Sequence, residues 1–220
     1  MLEHQIRDIV TSEIENPTFG VTEQYLQIHE VVEENGLIKI ERIDLEGKDN
    51  LAIAYVPVVN EFFHFAVCVD LQEKRFVGIH TEPCNRVYLR AISDSLSLEK
   101  LKSLTKLSPT KSWNKGDFRN EDRSPYKYKF SSFKLLPNPE PDSFEDKLKK
   151  LLDLLETDQQ GVTNLIEKAE ANVTVAMNFH NGNGMLGGMS INPESIKRMG
   201  KLNLSIDFDL YADGNKFLQD

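Results

Sequence analysis

Residues 51–80 constrain the fold most, because three apolar runs separated by short polar breaks repeat there with the period-two alternation of β-strands. The runs are Leu51–Val58, Phe62–Leu71 and Arg75–His80, the last two joined through Gln72–Lys74. Within Phe62–Leu71, Phe63, Phe65, Val67 and Val69 fall on one face and His64, Ala66, Cys68 and Asp70 on the other. Such short connections leave room only for an antiparallel meander. Its apolar face needs a cover, and Leu2–Glu15 supplies one. There Leu2, Ile6, Ile9, Val10 and Ile14 recur at helical intervals until Asn16-Pro17 disfavours continuation. Between helix and meander, Tyr25–Glu33 and Leu37–Leu45 read as strands of a hairpin around Asn35-Gly36, a dipeptide suited to the positive φ angles of a tight turn. A two-residue turn would set Glu30 opposite Glu41, an unfavourable pair unless a bulge or a bound cation intervenes.

Glu82-Pro83-Cys84-Asn85 breaks the pattern and places a domain boundary there, giving an acidic domain over 1–85 and a second domain over 86–220. The second domain opens with a strand over Val87–Ile92 and a helix over Leu98–Leu104. A long connection rich in Pro, Lys and aromatics leads to a strand over Tyr126–Leu136. Ser143 suits the N-cap of a helix whose stripe is Phe144, Leu148, Leu151, Leu152 and Leu155, and the helical signal continues over Val162–Ala171, beyond Gly161. A strand over Asn172–His180, a helix opened by Asn192-Pro193-Glu194 and closed at Gly200, and an alternating last strand around Leu204–Tyr211 follow. The last strand should show one apolar and one wet face. Val87–Lys106 and Val173–Lys201 share the order strand, small polar loop, short helix. The expected class is therefore α+β: a helix on an antiparallel meander, then a two-layer sandwich with a mixed four-stranded sheet.

The pieces Leu89-Arg90-Ala91-Ile92, Pro109-Thr110 with Trp113 and Lys115-Gly116-Asp117, and Asp207-Phe208-Asp209-Leu210-Tyr211 carry a resemblance to the bacterial domain-of-unknown-function family numbered 4279, over about residues 87–211. Residues 1–85 lie outside it. The resemblance implies a small bacterial intracellular domain, often found in proteins that look like immunity partners of toxins. It brings no catalytic residues.

The residues themselves offer little local chemistry. Two cysteines, Cys68 and Cys84, are too few for a disulfide framework and lack zinc-site clustering, so both are expected as reduced thiols in the cytoplasm. The opening MLEHQIRDIV lacks signal-peptide layout, and no run approaches the roughly 20 apolar residues that span a bilayer. The five histidines form no i, i+4 pair, and His64 and Cys68, four apart on one strand, would be about 13 Å apart. Asp207 and Asp209 share a strand face, a pairing compatible with metal or acid–base work but more often solvated surface. The glycine-rich loop Gly182–Gly188 precedes a helix yet matches neither phosphate-binding fingerprint. No cofactor, metal or catalytic set is expected, and the balance leans away from an enzyme.

Charge is more telling than motif. Residues 1–85 hold 6 Lys/Arg against 16 Asp/Glu, whereas residues 86–220 hold 20 against 19, so the net charge of −9 belongs to the first part. Residues 100–134 reverse the sign, with ten Lys/Arg against three acids and Trp113, Phe118, Tyr126 and Tyr128 interleaved. Such a strip could hold a single nucleic-acid strand, although the overall acidity disfavours that partner. The leading expectation is a binding protein of the immunity type, presenting Glu30, Glu33, Glu34, Glu41, Asp44 and Glu46 to a basic protein toxin. The rival readings are a nucleic-acid module using 100–134 and an enzyme centred on Asp207/Asp209.

Overall fold

A computed structural model of the protein describes residues 2–45, 50–120, 124–181 and 188–214. The chain separates into two compact units: Met1–Cys84 with Met177–Gly187 and Leu210–Asp220, and Asn85–Ala176 with Gly188–Asp209. Two later stretches thus join the first 84 residues in one unit.

In the first unit, α1 (Leu2–Glu15) runs over the sheet β3 (Arg42–Asp44), β4 (Leu51–Pro57), β5 (His64–Asp70) and β6 (Arg75–Glu82), which pair antiparallel in chain order. Ile6, Val10 and Ile14 of the helix join Ala52, Ala54, Val56, Phe65, Val67 and Val69 in one core. Asp70 closes the β5–β6 turn by accepting the Gln72 and Glu73 N–H groups at 2.8 Å. The expected strand at Tyr25–Glu33 is overturned in its first part, because Gly20–Leu26 forms a helix, α2. There Thr22 and Tyr25, three apart, turn inward, and Tyr25 stacks on Phe65 at 5.1 Å. Packing outweighs the β-propensity of Val, Thr and Tyr. Glu13 joins the two helices: its buried carboxylate accepts the Thr18 and Phe19 N–H groups and the Thr18 hydroxyl at 2.6 Å. Burial raises its pKa, but these bonds prevail and hold it below the ordinary value.

The turn at Asn35-Gly36 is present, with φ of 55° and 75°, but the strands it joins are only β1 (Glu33–Glu34) and β2 (Leu37–Ile38). Val31 bridges Val58 and the Glu41 N–H bonds to Tyr55, so the sheet takes these residues and Glu30 does not face Glu41.

In the second unit, β7 (Cys84–Ser93) leads to α3 (Leu98–Ser103), which lies against a later strand, β11 (Ser131–Leu135). The long connection is not structureless: it carries β8 (Lys111–Trp113), β9 (Phe118–Asn120) and β10 (Ser124–Lys127). The expected strand Tyr126–Leu136 is split in consequence, since Tyr128 turns back to exchange backbone bonds with Gly116 and Asp117. Helices α4 (Phe144–Leu155) and α5 (Gln159–Lys168) precede β12 (Glu170–His180), and α6 (Pro193–Lys201) precedes β13 (Ile206–Asp213). The mixed sheet has five strands rather than four, in the order β13-β12-β7-β11-β8, because β8 adds an edge. Val87, Leu89, Ala91, Phe133, Leu135, Leu148, Leu151, Leu152, Leu155, Val173 and Val175 are all buried. Ser143 caps α4 as expected, accepting the Asp146 N–H at 3.1 Å.

Three details depart from the sequence reading. Helix α5 begins before Gly161, because the Asp158 carboxylate caps it by accepting the Gly161 N–H at 3.1 Å. Gly200 lies inside α6; the left-handed residue that closes it is Asn203, φ 54°, with Leu204 N–H bonded to Met199 C=O and Asn203 N–H to Gly200 C=O. The expected apolar face of the last strand is not buried along β13: Leu204, just before it, is buried, but Ile206 is partly exposed and Phe208 and Leu210 are exposed.

Candidate functional site

The end of α1, the end of α2, the segment 29–31 and the β1–β2 hairpin enclose a groove of about 590 Å³ within the first unit. Ile14, Leu26, Val31 and Ile38 give it apolar walls, and Glu15, Glu30 and Glu33 stand on it as exposed carboxylates. The local causes are simple. Asn16-Pro17 ends α1 and leaves Glu15 at its rim, and the positive φ of Gly36 folds the hairpin back so that Glu33 and Ile38 are paired. Among the described residues, Glu15, Glu30 and Glu33 have no cationic partner. Three uncompensated charges beside a low-dielectric wall concentrate a negative potential in the groove.

His29 also lines the groove. Its Nε2 is 2.9 Å from Nε2 of His180, its Nδ1 is 3.6 Å from a Glu61 carboxylate oxygen, and Phe63 and Phe65 stand edge-on to its ring. Burial, then the neighbouring His180, pushes His29 down to about 4, so it is neutral at pH 7 and one imidazole of the pair donates to the other.

The candidate residues divide in space. Glu30 and Glu33 come together on the groove, joined by Glu15, which charge counting along the hairpin alone did not single out. Glu34, the next residue of β1, is exposed. Glu41 is not at the groove; it pairs with His64 Nε2 at 3.0 Å, and Asp44 is partly buried beside the Arg42 guanidinium at 3.4 Å. Glu46 lies outside the described residues, as do residues 182–187 of the Gly182–Gly188 loop. Asp207 and Asp209 are exposed, Asp207 accepts a bond from the Asn172 side-chain amide, and neither joins a group of three potential metal ligands among the described residues.

Linear spacing also hid two histidine relationships. His29 and His180 are 151 residues apart in sequence and meet only through tertiary structure. Cys68 has its imidazole neighbour across the sheet rather than along its own strand: Nδ1 of His80 is 4.0 Å from the sulfur, and Nε2 is 3.8 Å from the Glu82 carboxylate. The sulfur and then the carboxylate raise His80 to about 9, an effect that water moderates around a half-exposed ring. In the basic segment 100–134, Trp113 stacks on Tyr128 at 4.5 Å, and Phe118 and Tyr126 are exposed.

The fold therefore defines an α+β protein of two compact units, and no helix among the described residues is long and apolar enough to cross a membrane. By sequence, residues 82–213 match the family described as a domain of unknown function (DUF4279), and the chain belongs to that family. No curated protein and no solved structure matches it at a significant level. The groove is formed by residues that precede the matched span.

Proposed function

We propose that this protein is a non-enzymatic binding protein of the immunity type, which takes up a basic segment of a protein partner, such as a toxin, in the acidic groove of its first unit. The observation that carries this reading is the convergence of Glu15, Glu30 and Glu33, without cationic partners among the described residues, on an apolar-walled groove of about 590 Å³. A groove with these walls suits an amphipathic helix or extended strand that offers aliphatic side chains to Ile14, Leu26, Val31 and Ile38 and ammonium or guanidinium groups to the rim. Exposed carboxylates speed encounter and select charge, while the apolar wall supplies most of the affinity. Stoichiometric occlusion needs no turnover.

The probe is a fluorescent amphipathic peptide built from lysine and leucine, with its glutamate–leucine counterpart as control. Anisotropy should show saturable binding of the lysine peptide alone, weakening as salt rises. The triple variant E15Q/E30Q/E33Q should lose about tenfold, roughly 1.4 kcal/mol. Equal binding of the two peptides, or unchanged affinity in a folded triple variant, would remove the groove from the function.

A further inference from the structure

The alternation of β7 places Arg86, Tyr88 and Arg90 on the face opposite Val87, Leu89 and Ala91, which are buried in the core. Register then aligns cations across three neighbouring strands: Arg90 pairs with Lys134 of β11, and Lys134 with Lys111 of β8. Like charges directly opposite one another are unfavourable, and strands sit only about 4.8 Å apart. Lys134 stands at the centre of the row. Burial, then Arg86, Lys111 and Arg90, push Lys134 down to about 8, although its ammonium rests 3.4 Å from the centroid of the Tyr88 ring. Among the described residues, no carboxylate forms an ion pair with Arg90, Lys111 or Lys134.

Beside this row lies a cavity of about 470 Å³, and Lys111 belongs to both. Trp113, Phe118 and Tyr128 wall it. Trp113 and Tyr128 are stacked with an interplanar angle of 18°, Phe118 is 51% exposed, and Lys127 and Arg119 stand over the Phe118 and Tyr128 rings. Asp117, the one carboxylate on the lining among the described residues, accepts the Asn114 N–H at 2.7 Å and so helps close the local turn. The indole N–H of Trp113 is shielded from solvent yet has no acceptor among the described residues. A donor left in this state carries a desolvation cost that a ligand acceptor would remove.

We propose that the second unit binds a nucleotide, its base against the aromatic wall of this cavity and its phosphate on the Arg90–Lys134–Lys111 row. The cavity lies within the roughly 300–1,000 Å³ of small-ligand sites, the phosphate would supply the negative charge that the row lacks, and the base would offer acceptors to the indole. A long polyanion fits less well. The row is three strands wide and the chain as a whole carries −9.

Trp113 is the single tryptophan, so its fluorescence reports this cavity directly. Titration of the full chain with AMP, ADP and ATP should give saturable quenching, whereas adenosine and inorganic phosphate, each lacking half of the contacts, should bind at least about tenfold more weakly. K111A and K134M should each weaken nucleotide binding by about tenfold or more with unchanged circular dichroism. Calorimetry at pH 8.5 in buffers of different ionisation enthalpy should show proton uptake, because phosphate restores the charge of Lys134. The absence of saturable binding for every mononucleotide, or equal affinity in the folded lysine variants, would overturn the proposal. So would binding of a short oligonucleotide with none by mononucleotides, which would move the ligand to the class of nucleic-acid strands.

Discussion

At the scale of single residues, His29 sets a pH dependence. Its pKa in the folded chain, about 4, lies below the ordinary histidine value of about 6.5, so between these values the unfolded chain binds more protons. Stability from this residue is complete above the upper value and is lost as pH falls through the window, at up to about 1.4 kcal/mol per pH unit. Urea midpoints measured from pH 7 to 4.5 should therefore fall more steeply in the natural chain than in H29Q; parallel curves would contradict a buried neutral imidazole. Gly161 makes the opposite of the usual glycine prediction. In an ordinary helix Gly→Ala stabilises, but here the new Cβ would collide with the Asp158 carboxylate, which is already held by Thr105 Oγ1 at 2.7 Å and by the Lys106 N–H at 2.6 Å. G161A should lose roughly 1–3 kcal/mol by urea unfolding as that network opens. Residue-level legibility was uneven for a physical reason. Glu30 and Glu33 are near neighbours in sequence and could be grouped on charge, whereas Glu15, the His29–His180 pair and the Cys68–His80 neighbours owe their proximity to chain folding.

At the scale of elements, capping chemistry rewards reading and tertiary packing defeats it. Ser143 and Asn192 were recognisable as N-caps because a side-chain oxygen three residues before an unsatisfied N–H is a local relation. S143A should cost about 1 kcal/mol of stability. The end of α6 was less legible, since Gly200 and Asn203 both suit a helix terminus and the preceding turn decides which adopts positive φ. N203A should be destabilising by about 1 kcal/mol while N203G stays close to neutral, and a reversed order would place the cap elsewhere. Tyr25 shows the other limit: its residue type favours a strand, and the stack on Phe65 holds it in α2. The edge strand β8 was hidden inside a stretch of prolines and lysines, because an edge strand of three residues has too few positions to display alternation.

At the scale of the whole molecule, the α+β class and the antiparallel meander followed from periodicity, because each apolar face had to be buried against another element. The chain path did not, since Met177–Gly187 and Leu210–Asp220 return to the first unit without any local signal. Charge asymmetry was visible by counting, but which carboxylates share one groove depends on where α1, α2 and the hairpin end. The direct test of that groove as a binding surface is an NMR titration of the isotopically labelled chain with the lysine–leucine peptide. The predicted result is saturable, salt-sensitive shifts at the amides of Glu15, Glu30, Val31, Glu33 and Ile38, absent in E15Q/E30Q/E33Q. Saturable shifts confined to residues away from these, or no shifts at low salt, would contradict the account.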